Sequence, residues 1–191
     1  MAKEALGYWF TNSGLVQGDF CLYITRVSVD DVIRDEKVFG IETGNKAPFW
    51  MAGERGQLKY RWNDLARLSY SIKDVLKKNG TNRIRITTDV LSSLLINPPE
   101  TIYNFLTQLF SDIKQYEAVF LATLEEGMHP SQVLTAMQQV FDGVVELKLY
   151  QEGFRLHSLL QIVKMRGIPT QRGFYNFSLS RNGMEISEYA K

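Results

Sequence analysis

The sequence predicts an α/β fold: a mostly parallel sheet flanked by helices, with antiparallel strands and a hairpin at the C-terminal end. Three observations predict it. Between residues 18 and 123, apolar strand-like runs (GDFCLYIT, Ile84-Arg85-Ile86, AVFLAT) alternate with helical patterns, the order that builds a parallel sheet. After Asp142-Gly143 the apolar period drops to two, with Val145, Leu147 and Leu149 on one side, as in half-buried antiparallel strands. Near the end, Asn182-Gly183 sits between two strand-like runs, the strongest short signal for a two-residue hairpin. At 191 residues the chain is long enough to bury a real core. It reads as a single domain over 1–191, with a βα part over 3–142 and an antiparallel part over 143–187.

Each element follows from its residues. Leu6, Trp9 and Phe10 at helical spacing predict a helix from Met1 to Leu15, stopped by Asn12-Ser13-Gly14. Tyr8-Trp9-Phe10 reads as its buried face. Gly18–Thr25 is a strand with Phe20, Leu22 and Ile24 on one face. Ser28 caps the next helix, with Asp31 in the capping-box position and Gly40 at its end. Residues 41–55 read as irregular and Gln57–Trp62 as a short strand. Leu65, Leu68, Ile72, Val75 and Leu76 stripe a helix over Asp64–Lys78. Asn97 is the expected cap of a helix over Pro98–Gln115, with prolines in its first turn. The near-continuous apolar run Ala118–Thr123 suits a strand covered on both faces. Pro130 opens a further helix, and Arg155–Met165, Phe174–Leu179 and Met184–Ile186 are strands.

Composition excludes several classes. Hydrophobic residues are 45% and charged residues 23%, and 22 basic against 21 acidic residues give a net charge of +1. Such a balance gives no general drive toward nucleic acid or an anionic membrane. Cys21 is the one cysteine, and His129 and His157 stand far apart, so neither a disulfide framework nor a metal-ligand spacing is present. No apolar run approaches the ~20 residues of a membrane helix. The expected location is the cytoplasm.

The residues with chemistry are few. Asp89 ends the Ile84-Arg85-Ile86 strand, where α/β sheets bind ligands; it either holds the Mg²⁺ of a nucleotide or caps a turn. Arg85 and Thr87 share its face, so that face is wet or covered by something polar. Glu125-Glu126 follows an apolar strand and either places carboxylates at the sheet edge or forms an exposed turn. His129 before Pro130 is either a general base or a helix cap. Phe49-Trp50-Met51 beside Arg55, Lys59 and Arg61 could stack single-stranded nucleic acid or pack on the core.

Four stretches together resemble the KaiC-like branch of the RecA superfamily of P-loop ATPases, from about Lys3 to Ile186. They are Gln17-Gly18-Asp19 with Leu22-Tyr23-Ile24-Thr25, Ile33-Arg34-Asp35 and Phe39-Gly40; Asp89 with Leu91-Ser92-Ser93-Leu94-Leu95; Asp142-Gly143-Val144-Val145-Glu146-Leu147; and Ile162-Val163-Lys164-Met165-Arg166-Gly167 with Gly173-Phe174-Tyr175-Asn176-Phe177. The resemblance implies a RecA-like sheet, Asp89 as a relic of the Mg²⁺ site, and Lys164 and Arg166 as a basic pair reaching a neighbour's nucleotide. Thr170 stands where relatives often carry His.

The departures change what is implied. GxxxxGKS/T, whose backbone N–H groups cradle phosphate, occurs nowhere in the 191 residues; the chain starts where that loop should have ended. Arg26-Val27 replaces the paired glutamates, one of which resembles the base that activates water. ATP and Mg²⁺ are therefore not expected as cofactors, and no catalytic residue is assigned. Removing the phosphate-loop strand would leave two neighbouring strands unpaired, so the sheet closes up, another chain fills the slot, or the chain is a piece of a longer protein. The expectation is a degenerate domain acting as an oligomerising or regulatory partner, with itself or with a full-length KaiC-like ATPase. The alternatives are a split ATPase subunit whose phosphate loop lies upstream, and a nucleic-acid-associated relative. Relatives serve timing, signalling and recombination.

Overall fold

A computed structural model describes residues 2–41, 49–52, 64–80, 83–169, 173–180 and 183–189. The elements run α1 (Ala2–Gln17), β1 (Phe20–Ile24), α2 (Val29–Val38), β2 (Phe49–Ala52), α3 (Leu65–Asn79), β3 (Ile84–Thr88), α4 (Leu91–Leu94), α5 (Pro99–Ile113), β4 (Ala118–Ala122), α6 (Ser131–Val140), β5 (Gly143–Glu152), β6 (Arg155–Met165), β7 (Phe174–Ser180) and β8 (Gly183–Glu188). They form two sheets, a parallel one ordered β2-β1-β3-β4 and an antiparallel one ordered β5-β6-β7-β8. The expected α/β architecture, parallel strands with helices followed by antiparallel strands, is present. Among the described residues no helix is long and apolar enough to cross a membrane.

Strand alternation divides the parallel sheet into two layers. Phe20, Leu22 and Ile24 of β1 and Ile84 and Ile86 of β3 point into a core closed by Leu68, Ile72, Val75 and Leu76 of α3 and Ile102, Leu106 and Leu109 of α5. Cys21 and Tyr23 point the other way, into a smaller cluster with Tyr8, Val32 and Ile41. The buried stripe of α3 is the one its sequence predicts except for half-buried Leu65, and α5 buries Ile102, Leu106, Leu109 and Ile113. Ser28 caps α2 as expected: its hydroxyl accepts from the Asp31 N–H at 3.2 Å and donates to the Asp31 carboxylate at 2.7 Å.

The polar face of β3 is covered by α1, which packs against β1 and β3. Arg85 Nε donates to Asp19 Oδ2 at 2.6 Å, and its other nitrogens donate to the Phe10 carbonyl at 3.1 Å and Gln17 Oε1 at 2.7 Å. The guanidinium also lies 5.0 Å from the centre of the Phe10 ring, within range of a cation–π contact. Thr87 shares a 2.9 Å hydrogen bond with Thr11. The Arg85 and Asp19 side chains are 14% and 5% exposed, so each charge depends on the other for its solvation.

Several expectations are corrected. Helix α1 does not stop at Asn12-Ser13-Gly14 but runs to Gln17, where Gly18 turns the chain with φ 82°. Gly14 has a different job: a Cβ there would lie 2.6 Å from Arg85 Cδ and 2.8 Å from Cys21 Sγ. Phe49–Ala52, read as irregular, is strand β2, paired parallel to β1; the strand expected over Gln57–Trp62 lies outside the described residues. Asn97 does not cap α5. Pro98 holds the cap position, and the Asn97 amide donates to the Leu94 carbonyl at 2.9 Å. Pro130 likewise precedes α6, so His129 is not its cap.

The largest correction concerns Ala118–Thr123. The run forms β4, but among the described residues β4 pairs with β3 alone and is an edge strand, with Val119 51% exposed. A run so apolar is expected to be covered on both faces, yet the face carrying Val119 is left half-exposed. Beyond it the next strand in sequence, β5, is the edge of the other sheet. Among the described residues nothing lies paired between them. Of the three outcomes considered above, closing up of the sheet is not what is found.

Gly14→Ala tests the close approach of α1 to the sheet. The added methyl must displace the Arg85 stem and disturb the Asp19 pair, so a loss of roughly 1–3 kcal/mol is expected in urea unfolding. Gly173→Ala, at a position with nothing within 4 Å and no positive φ, is the comparison and should cost less than Gly14→Ala.

Candidate active-site relic

The site is built at the carboxyl ends of β1, β3 and β4, under the first turn of α1. Thr25 follows β1, Asp89 follows β3 and Thr123 follows β4. Thr25 Oγ1 donates to Asp89 Oδ2 at 2.8 Å and accepts from the Val27 N–H at 3.2 Å. The Thr123 N–H donates to the Thr88 carbonyl at 3.0 Å, tying the end of β4 to β3. Asp89 Oδ1 and Thr123 Oγ1 are buried without a hydrogen-bond partner among the described residues. Burial drives the Asp89 carboxyl up to about 6, against the opposing hydrogen bond from Thr25.

Across from Asp89, the first turn of α1 carries Lys3 and Glu4. Lys3 pairs with the adjacent Glu4 and, at 2.8 Å, with Glu125 Oε2 beyond β4. Glu4 shifts the opposite way from Asp89: burial alone would raise it, but hydrogen bonds, the one from Lys3 first among them, override that and hold it at about 2. Glu4 also opposes ionisation of Asp89 through its charge. The loop after β4 is fixed by the Glu125 N–H, which donates to Ser92 Oγ at 2.7 Å.

Lys3 and Glu4 were not singled out from the sequence, although a signal was present. The helix after a phosphate loop opens on Gly-Lys-Ser/Thr, with the Lys on phosphate and the hydroxyl on Mg²⁺. Helix α1 opens on Ala2-Lys3-Glu4, which a search for the intact triplet passes over. The donor set does not fit a magnesium nucleotide. Lys3 is followed by a carboxylate and not by a hydroxyl, its ammonium is already paired with two carboxylates, and the 191 residues contain no GxxxxGKS/T. Arg26 and Val27, where a water-activating base would stand, are exposed and offer no proton acceptor.

The other predicted residues lie elsewhere. Lys164 Nζ donates to the carbonyls of Gln138 at 3.0 Å and Phe141 at 2.7 Å, closing the C-terminal end of α6. Arg166 pairs with Asp142 at 2.7 Å, and its N–H donates to the Asp142 carbonyl at 2.8 Å. The two residues share the α6–β5 junction, and no hydrogen bond or ion pair among the described residues joins them to Asp89. Thr170 lies outside the described residues, as do Arg55, Lys59 and Arg61. Cys21 is buried, and burial pushes its thiol up to about 12, which removes it as a nucleophile at neutral pH. Among the described residues no three His, Cys, Asp or Glu side chains gather as a metal site.

The Asp89 shift has a sign that can be measured. The folded carboxyl keeps its proton to about pH 6, whereas an unfolded Asp releases it near pH ~4. Its contribution to stability is therefore complete below about pH 4 and is lost as the pH rises through about 6. Asp89→Asn should raise the melting temperature near pH ~8, by an amount equivalent to roughly 1–3 kcal/mol, and give no gain near pH ~4. Thermal melts of both proteins across that range check it.

Comparison with known proteins bears on this geometry. A family model described as "ATPase: KaiC" matches residues 1–191. The chain is similar to the circadian clock protein KaiC3 of Synechocystis sp., 23% identical over 189 residues, covering 94% of this chain and 36% of that protein. It thus spans about a third of that relative's length. A match along the whole chain, on a parallel sheet with Asp89 at a strand's carboxyl end, places this protein in the KaiC family of ATPases.

Proposed function

We propose that this chain is a KaiC-like domain that does not turn over nucleotide and acts by association, as an oligomerising or regulatory partner. The observation that carries this reading is the state of Lys3. Its ammonium is paired with Glu4 and with Glu125, so an incoming phosphate would have to displace two carboxylates and leave both near buried Asp89. Such a site repels anions rather than drawing them in. The Arg26-Val27 pair gives water no base.

A second reading is favoured by a different observation. β4 and β5 are both edge strands, and the chain spans 36% of KaiC3; a longer polypeptide could supply both the strand and a phosphate loop. In that reading Arg166, 62% exposed at its side chain, would leave Asp142 to turn toward a neighbour's nucleotide. Lys164 would have to give up the end of α6, and Thr170 would lie just beyond. The nucleic-acid reading draws its support only from the Phe49-Trp50-Met51 stretch, against a net charge of +1.

The test is ATP binding and phosphate release by the purified 191-residue chain with Mg²⁺. The expected result is no release and a dissociation constant weaker than about 1 mM. Turnover that is abolished by Lys3→Ala would contradict the reading. Glu4→Thr together with Glu125→Ala frees Lys3 and is expected to tighten nucleotide binding without restoring hydrolysis.

A further inference from the structure

The antiparallel sheet opens between its two hairpins. β5 and β6 stay zipped as far as Glu152 opposite Arg155, and β7 and β8 as far as Ser180 opposite Gly183. Between the hairpins, β6 and β7 pair where Leu159, Leu160 and Gln161 meet Asn176, Tyr175 and Phe174, and then part. Continued, that ladder would set Ser158 against Phe177 and His157 against Ser178; among the described residues neither pair forms. A cleft of about 740 Å³ lies there instead, with Leu156, His157 and Ser158 on one wall and Asn176, Phe177 and Ser178 on the other.

Both walls are strand edges. The Tyr189 N–H donates to the Phe174 carbonyl at 3.2 Å, so even-numbered positions of β7 serve β8 and odd-numbered ones face β6. Leu160 opposite Tyr175 carries this alternation into β6, whose even-numbered positions there face β7. Phe177 on one wall and Leu156 and Ser158 on the other therefore turn their N–H and C=O groups into the cleft. Among the described residues these groups have no partner. A single open edge can add a strand of any folded domain. Two edges facing one another admit only an extended segment, which pairs with both.

The side chains say which segment fits. Directly opposed residues of an antiparallel ladder share a face. One face of the cleft joins Leu156, 65% exposed, to buried Phe177 and its cross-strand partner Ile186, 49% exposed. The other face carries His157, Ser178 and Glu185. His157 leans on Glu152 at 3.7 Å. Glu185 is the one formal charge among the described lining residues and has no ion pair among them. A segment whose alternate side chains are apolar meets the first face, and basic side chains between them meet Glu185.

We propose that the cleft between β6 and β7 takes an extended segment of a second polypeptide, about four residues long within the cleft and alternating apolar with basic residues, which pairs its backbone with both walls. The inference rests on the reading of this chain as an association module and names the chemistry of its partner.

Residue-resolved amide hydrogen exchange of the full chain tests it. The probe is the synthetic peptide Thr-Val-Lys-Val-Lys-Val-Thr, and the control is Thr-Lys-Lys-Val-Val-Val-Thr, of the same composition without the alternation. The probe should slow exchange at Leu156, Ser158 and Phe177 by about tenfold or more and leave His157 and Asn176, which serve β5 and β8, unchanged. The control should slow none of them. Glu185→Lys reverses the charge in the cleft, and Ser158→Pro removes an N–H that does not serve β5; each should abolish the probe's effect while keeping Leu159 and Asn176 slow. Four results would overturn the proposal: no change at the three amides, equal slowing by both peptides, slowing that survives in either variant, and protection without peptide. Such protection, rising with protein concentration, would assign the cleft to a second copy; independent of concentration, it would assign it to the chain itself. ATP turnover would instead overturn the non-catalytic reading and leave the exchange result standing, so the two failures are distinguishable.

Discussion

The ion pair between Asp19 and Arg85 governs where everything else sits. A helix normally docks on a sheet through an apolar stripe; α1 docks on β3 through a guanidinium that satisfies Asp19, Gln17 and the Phe10 carbonyl at once. Gly14 removes the side chain that would block this approach, and the hydrogen bond between Thr11 and Thr87 extends the seam by a turn. Because directional bonds fix both rotation and translation, the seam sets the helix register, which apolar packing alone leaves loose. That register places Lys3 and Glu4 over the carboxyl ends of the strands.

With α1 so held, the charges at the site answer one another. Lys3 lies between two carboxylates, Glu4 is held ionised, and Asp89 is buried beside Thr25 with its carboxyl raised to about 6. These opposite shifts are what nearby groups produce when one is ion-paired and desolvation outweighs the hydrogen bond to the other. In an ATPase the same place must leave a cation and a hydroxyl open for phosphate and Mg²⁺. Here the positive charge is already spoken for by the protein. The chain has the KaiC-family scaffold, and Lys3 at the carboxyl end of its parallel sheet is paired with Glu4 and Glu125.

Much of the fold was legible because it depends on periodicity and caps. Ser28 with Asp31, and the stripes of α3 and α5, are local patterns that their surroundings reinforce. The polar cover over Arg85 and Thr87 was also foreseeable, since burying those groups bare would be too costly. The misreadings share a cause: a residue whose role comes from a distant partner. Gly14 looks like a helix stop, yet its constraint is the Arg85 stem. Ala118–Thr123 looks like a strand covered on both faces, yet Val119 is left half-exposed. Asn97 looks like a cap, yet the Leu94 carbonyl is closer to hand. Lys3 and Glu4 escaped notice because their meaning lies in Glu125 and Asp89, more than 80 positions away, and because Ala-Lys-Glu does not spell the intact motif.

The most direct measurement is a double-mutant cycle on the seam, with Asp19→Ala, Arg85→Met and the pair together, read by urea unfolding. Asp19→Ala, which strands the Arg85 charge, should cost about 3–5 kcal/mol, and the double variant should recover most of that loss, because an unpaired buried charge is worse than none. Losses below about 1 kcal/mol for both single variants, adding without coupling, would show that α1 is seated by something other than this ion pair.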